Sequence, residues 1–457
     1  MDPMPSSERS APGTLRRSEA RRIVDREILA LAIPSLGALV AEPLFVMVDS
    51  AFVARISTPA LAGLGLASTV LTTVVGLSIF LAYSTTAAVA RAFGAGRRRE
   101  AISRGVDACW LALLIGAACL LLLVGLGHPI LAAFGPSAEV LTNATTYLRI
   151  SAIGLPAMLA VQAATGLVRG LQDARLPLVV AVGGALLNVP LNATLIFGLG
   201  LGIAGSAIGT VIAQWGMALV LLAAVVRAAR REQVPLRPHP GHVAAAGRDS
   251  VPMFVRTVSL RVVLVVATLV ATRLGDVQLA AHQLALTVFN LLALALDALA
   301  IAGQALTGRY LGASDTSTVQ AVTRRLITWG VGGGVLTGVV LLAASYVAPG
   351  VFTPDPLVQE NLRAALWVLV IAQPVAGYVF VLDGVLMGAG DAPYLARAGA
   401  VTAAVTMPGA AIVALWLPAG PLGTASLWVA CTLVFLLARA VSLGLRVRGD
   451  AWARTGG

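Results

Sequence analysis

The chain has 457 residues, 58% hydrophobic and only 12% charged, with a mean hydropathy of +0.89. A soluble domain carries about twice that charged fraction, so water-soluble classes are set aside. An outer-membrane barrel is set aside too, because the apolar runs are continuous instead of alternating and only 5% of residues are aromatic. The formal charge of +11 would suggest nucleic acid for a soluble protein, but here every one of the 32 basic residues is an arginine and most sit between apolar runs. Placed there, they set membrane topology, and no nucleic-acid partner is expected.

The first 27 residues are rich in Ser, Pro and Arg, with no apolar segment before Ile28. They read as a cytoplasmic tail and not as a cleaved signal peptide. Apolar stretches of roughly 20 residues then recur, each long enough to cross about 30 Å of hydrocarbon. The predicted spans are 28–54, 60–88, 105–126, 147–168, 177–198, 202–226, 250–274, 278–306, 324–346, 362–387, 394–416 and 422–445. The expectation is an all-α integral membrane protein with twelve transmembrane helices. Its parts are a tail (1–27), a first lobe (28–226), a linker (227–249), a second lobe (250–445) and a C-terminal tail (446–457).

Arginines cluster in the first tail (Arg16, Arg17, Arg21, Arg22, Arg26), after span two (Arg91, Arg97, Arg98, Arg99, Arg104) and in the linker. The opposite loops hold few: Arg55, Arg149, Arg273 and Arg363. The positive-inside rule then puts both termini in the cytoplasm. The linker holds three prolines with His239 and His242, and reads as solvated chain. Cys109, Cys119 and Cys431 lie in apolar runs without metal-ligand spacing, as packing residues do. No metal site is expected.

An offset of 218 residues, the distance from Pro34 to Pro252, superposes the two halves almost without gaps. Arg55 meets Arg273, Arg91 meets Arg309, Gly94 meets Gly312, Pro156 meets Pro374, Gly166 meets Gly384 and Asp173 meets Asp391. Glycines and prolines fix turns, kinks and close packing, so one backbone has been used twice. An even number of spans per half inserts both halves the same way up. The pseudo-two-fold axis then runs along the membrane normal, an arrangement used by alternating-access transporters.

An ionisable group in hydrocarbon costs at least about 2.5 kcal/mol at mid-depth, so each one calls for a reason. Asp49 lies about 30 Å along the first span, toward its far end. Glu42 is two turns earlier on the same face. In span five, Asn188-Val-Pro190-Leu-Asn192 puts two amides on one face, and Pro190 frees a carbonyl beside them. Span six adds Thr210 at similar depth. Asp49, Asn188, Asn192 and Thr210 therefore form a candidate site for a coupling ion, H⁺ or Na⁺. The alternative is interhelical hydrogen bonding of a kind common in membranes.

The second half lacks this cluster, since Asp49 maps to Ala267 and Asn192 to Ala410. It offers Arg256, Asp297 and Asp383 as a candidate polar network, either a structural ion cluster or a proton-linked switch. Glu42, Gln283 and Asn290 are candidate cavity-lining residues. No phosphate loop, nucleophile motif or metalloprotease motif is present, so neither an enzyme nor an ATP-driven pump is expected. No cofactor is expected either, because an ion gradient would supply the driving force.

Several stretches carry a family resemblance. They are Leu31-Ala-Ile-Pro34 with Val48-Asp49-Ser-Ala-Phe-Val, Leu61-Ala-Gly-Leu-Gly, and Asn188-Val-Pro-Leu-Asn192 with Gly198-Leu-Gly-Leu-Gly-Ile-Ala-Gly205. In the second half they are Asp297-Ala-Leu-Ala-Ile-Ala-Gly-Gln-Ala305 and Leu382-Asp383-Gly-Val-Leu-Met-Gly388-Ala-Gly-Asp391. Over about residues 26–446 the chain resembles a multidrug and toxin extrusion (MATE) transporter of the DinF branch. The resemblance implies two six-helix lobes around a V-shaped cleft in a bacterial inner membrane. It implies exchange of H⁺ or Na⁺ for amphipathic, often cationic organic compounds, by a chain expected to act as a monomer among membrane lipids.

By resemblance, Asp49 matches the first-lobe aspartate that carries the coupling ion, with Asn188 and Thr210 as polar partners. Asn192 stands where many members have Asp. One charge fewer weakens a Na⁺ site and shifts the expectation toward H⁺. The alternative function is a lipid-linked precursor flippase of the same superfamily.

Overall fold

The computed structural model describes residues 13–455. Residues 1–12 of the predicted tail, the side chains of Arg16 and Arg17, and residues 456–457 lie outside the described residues. Among the described residues the chain is helical throughout. The first half holds α1 (Gly13–Val53), α2 (Thr58–Leu77), α3 (Phe80–Gly94), α4 (Arg98–Ala132), α5 (Ala138–Ala152), α6 (Leu155–Gly170), α7 (Arg175–Asn192) and α8 (Gly202–Arg231). The second holds α9 (Pro240–Leu274), α10 (Asp276–Gly312), α11 (Thr316–Ala344), α12 (Ala348–Phe352), α13 (Pro356–Gly388), α14 (Ala392–Trp416), α15 (Pro421–Trp428) and α16 (Phe435–Arg448). Eleven segments are long and apolar enough to cross a membrane, and the pair α5–α6, bent by 48°, makes a twelfth. Chain length and apolar patterning thus produce a multi-pass membrane fold of two six-span lobes.

The helices outrun the predicted spans. α1 starts at Gly13 and continues unbroken through Pro34 and Pro43. The predicted 227–249 linker is mostly helix, and only residues 232–239 connect α8 to α9. Pro235 and Pro238 interrupt the helix there. Pro240 occupies the first turn of α9, where its missing N–H leaves nothing unsatisfied. α16 runs to Arg448, and the chain beyond it folds back so that Trp452 is buried, its Nε1 donating to the Val447 carbonyl at 3.1 Å.

The arrangement of the cores accounts for the V shape. One apolar core is shared by both lobes and includes Phe80, Val89, Ala302, Leu306 and Leu382. Toward the opposite face each lobe has its own, around Leu64, Leu123 and Tyr147 in the first and around Ala285, Leu362 and Trp428 in the second. The shared core lies toward the face that carries both termini, here called the terminal face. Polar contacts between lobes gather there as well. Gln304 Nε2 donates to the Tyr83 carbonyl at 2.6 Å, and Ser250 Oγ to Ser84 Oγ at 3.0 Å. Arg325 pairs with Asp25 at 2.5 Å, and Tyr310 donates to Glu27 at 2.5 Å. α3 and α10 cross so tightly that a Cβ at Gly94 would fall on the Arg309 carbonyl, and one at Gly312 on the Arg91 carbonyl. These are the two pairs related by the 218-residue offset, so the crossing itself lies on the pseudo-two-fold axis.

Candidate coupling site and interlobe network

The first-lobe cluster is assembled by α1, α5, α7 and α8 near the face opposite the termini. α7 carries Asn188 and Asn192 one turn apart and closes with a π-helical turn, Ala193–Gly198. A turn with left-handed backbone at Gly200 (φ 66°) and Gly202 (φ 56°) then reverses the chain into α8. Glycine adopts that conformation without a Cβ clash. The reversal places Ser206 and Thr210, four apart on one face of α8, against the end of α7.

Asp49 receives three hydrogen bonds there. Its Oδ1 accepts from Asn192 Nδ2 at 2.7 Å and from Ser206 Oγ at 2.5 Å, and its Oδ2 accepts from the Tyr147 hydroxyl at 3.1 Å. Asn192 Nδ2 also donates to Asn188 Oδ1 at 3.0 Å. Thr210 joins through Asn188 Nδ2 at 3.4 Å. Asp49, Asn188, Asn192, Ser206, Thr210 and Tyr147 are all buried. The four residues singled out from the sequence thus share one cluster. Tyr147 and Ser206 were not foreseen, yet both touch the carboxylate directly.

The close approach of α8 to α7 depends on Gly209, where a Cβ would meet Asn192 Oδ1. Gly209→Ala is therefore expected to push Asn192 away from Asp49. The forced displacement should destabilise the protein by about 1–3 kcal/mol, read as a lowered midpoint of thermal unfolding in detergent. An unchanged midpoint would show that the amide has room to move.

In the second lobe, Asp383 of α13 is gripped by two guanidinium groups. Arg256 of α9 pairs with both of its oxygens, and Arg439 of α16 donates to Oδ1 at 2.5 Å. All three side chains are at most 9% exposed. Asp297, grouped with Arg256 and Asp383 on sequence, is held differently. The Tyr83 hydroxyl of the first lobe lies 3.4 Å from both of its oxygens. Arg169 and Arg256 act on Asp297 electrostatically from either side of the seam, and the Arg256 guanidinium lies 5.9 Å from the centroid of the Tyr83 ring. Arg169 and Arg439 had not been singled out from the sequence.

The three candidate cavity residues do not share a cavity. Glu42 lines one of about 210 Å³ inside the first lobe, with Gln162, Thr165, Arg169, Gln214 and Met217. Gln283 and Asn290 belong to the other lobe. They are exposed on α10 at seven-residue spacing from Asp297 and so continue its face. The 218-residue offset relates this cavity to the ion triad of the second lobe. Ala38, Thr165 and Leu221 line the first-lobe cavity, and their counterparts are Arg256, Asp383 and Arg439. The ion triad fills in the second lobe what is open space in the first.

Among the described residues no group of three His, Cys, Asp or Glu is arranged to hold a metal ion. His239 and His242 stack with ring centroids 4.5 Å apart, and His242 reaches Asp107 at 3.7 Å.

The MatE family model matches the chain twice, at residues 34–194 and 252–412, with the offset found in the sequence. The chain belongs to the MatE family. It is 31% identical to the DNA damage-inducible protein F of Escherichia coli, over 92% of this chain and 91% of that one. It is 28% identical to Protein DETOXIFICATION 43 of Arabidopsis thaliana, over 94% and 91%. The Vibrio cholerae MATE transporter VcmN in its bent form superposes with a TM-score of 0.84 at 20% identity, covering 95% of this chain and 99% of the other. The fold is that of MATE transporters with DinF-like relatives, and the chain is a membrane transporter, not an enzyme.

Proposed function

We propose that this MatE-family chain is a secondary active efflux transporter. It exchanges H⁺ for amphipathic, cationic organic compounds by alternating access, and Asp49 carries the proton. One observation supports the reading above others: a buried carboxylate whose three direct partners are all neutral hydrogen-bond donors. An unpaired carboxylate in a low-dielectric site is neutralised most readily by protonation. A Na⁺ site would be strengthened by a second carboxylate, and position 192 beside Asp49 holds a neutral asparagine. Asp383 already has two guanidinium partners and Asp297 lies near Arg169 and Arg256, whereas the direct partners of Asp49 are all uncharged, which favours Asp49 as the exchangeable group.

The organic cation is assigned to the first-lobe cavity, where Glu42 supplies a carboxylate among methionine, aliphatic and amide side chains and Arg169 also lines the wall. The DETOXIFICATION and multidrug-resistance names of relatives agree with export of toxins or drugs. The arginine asymmetry supports a cytoplasmic terminal face, in keeping with a bacterial inner membrane. The described arrangement, joined at that face, is then open to the outside. Each chain holds a complete site and needs no second copy.

The test uses purified protein in liposomes carrying a fluorescent organic cation. A pH gradient without Na⁺ is expected to drive transport against the cation's own gradient, and a Na⁺ gradient at uniform pH is expected not to. Transport driven by Na⁺ alone would replace the ion. Indifference to both gradients, with no movement of the cation, would direct the search to lipid-linked substrates.

A further inference from the structure

Along α3 from Tyr83 to Arg91, the seam between lobes widens toward the terminal face into a cavity of about 810 Å³. Six of its lining residues are arginines and two are aspartates. Topology alone would scatter arginines over this face; here they converge on one space from three parts of the chain. Arg91 and Arg104 come from the first lobe, Arg248, Arg397 and Arg446 from the second, and Arg454 from the folded-back C-terminal segment.

Acidic groups offset part of this charge, since Glu100, outside the lining, holds Arg104 at 2.6 Å. Asp391 is engaged by Arg446 at 2.7 Å. Asp249 stands 3.9 Å from Arg248, with both side chains more than three-quarters exposed. Arg91 helps shape the wall by donating to the carbonyls of Ala389 and Arg454, which ties the first lobe to the second and to the tail. The 25-residue helix α14 also begins at this cavity, with Ala392 and Pro393 in the lining. Its N-terminal end adds partial positive charge.

We propose that this seam cavity is a binding site for a phosphate-bearing anion, clamped by arginines of both lobes. The guanidinium fork matches phosphate oxygens in a bidentate way, and the volume accommodates a diphosphate. Because both lobes supply ligands, a bound anion favours the arrangement in which they meet at this face. The same chemistry is offered by a soluble phosphate compound and by an anionic lipid headgroup.

The test needs no transport assay. Inorganic pyrophosphate is titrated calorimetrically into the full-length protein in neutral detergent at fixed ionic strength. In parallel, thermal unfolding is followed in nanodiscs of phosphatidylcholine with and without phosphatidylglycerol. The cavity variant is Arg248→Gln/Arg397→Gln, two side chains outside the ion triad and the coupling cluster. The control is Arg230→Gln/Arg231→Gln, exposed arginines at the end of α8 and outside the cavity lining. Saturable pyrophosphate binding, weakened at least about tenfold by the cavity variant alone, supports the site with a soluble ligand. A phosphatidylglycerol-dependent rise in unfolding midpoint, lost in the cavity variant alone, supports it with a headgroup. Neither response, or a response that the cavity variant spares or the control reduces equally, overturns the proposal.

Discussion

Asp49→Asn is expected to reduce proton-driven accumulation of an organic cation to background while leaving the protein folded. Asparagine has nearly the shape of aspartate. Its Oδ1 can still accept from Asn192 and Ser206, and its amide can donate to the Tyr147 oxygen. The helices that meet at this point therefore keep their contacts. What is lost is the group that changes charge. With the site permanently neutral, the variant resembles the protonated state, and proton binding can no longer bias one lobe arrangement over the other. Substrate-for-substrate exchange without a gradient should persist. Both assays can be run on one preparation of liposomes. Gradient-driven accumulation surviving in the variant would remove Asp49 from the coupling step.

The second large effect is expected at Asp383, and it is structural. Asp383→Ala leaves Arg256 and Arg439 buried without their shared carboxylate, a loss of about 3–5 kcal/mol for breaking a buried ion pair. Expression and the thermal midpoint should fall sharply. Replacing the whole triad, as Arg256→Met/Asp383→Leu/Arg439→Met, should recover most of that loss, because apolar groups of similar volume often match a buried ion cluster in stability. The triple variant should also retain proton-driven transport. A stable triple variant that no longer couples would show that Asp383 takes part in proton handling and does more than hold α9, α13 and α16 together.

The contrast between the two lobes was partly legible in the sequence. The 218-residue offset revealed the duplication, because Gly and Pro positions fix the backbone and align whether or not side chains do. Asp49, Asn188, Asn192 and Thr210 were found because a polar group in an apolar run stands out, and helical rise assigns it a depth. Tyr147 escaped notice because it fell at the edge of a predicted span, where a tyrosine ordinarily anchors at the membrane interface. Ser206 escaped because hydroxyls are frequent in membrane helices, although its four-residue spacing from Thr210 was a usable signal.

Arg439 carries a signal of its own in the sequence. It lies inside the predicted last span, and an arginine there requires a partner. Arg169 was hidden by its place at the end of a predicted span, where an arginine reads as topology. The cavity of the first lobe could not be read at all. An empty volume has no residue pattern of its own and emerges only when packed helices are compared with their pseudo-symmetric counterparts. The extent of the helices was underestimated for a different reason. Hydropathy reports where the hydrocarbon ends, whereas α1 continues beyond it through Arg and Glu and α9 through a run of three alanines, residues that favour helix.

Exchange requires that organic cation and proton compete through Asp49, and this linkage is measured most directly as proton release. Purified protein in lightly buffered detergent is saturated with the organic cation at a series of pH values between about 5 and 8, and the protons liberated are counted with an indicator dye. The wild type is expected to release about one proton per cation bound more than Asp49→Asn at the acidic end. Equal release from both proteins, or none from the wild type at any pH, would contradict the account.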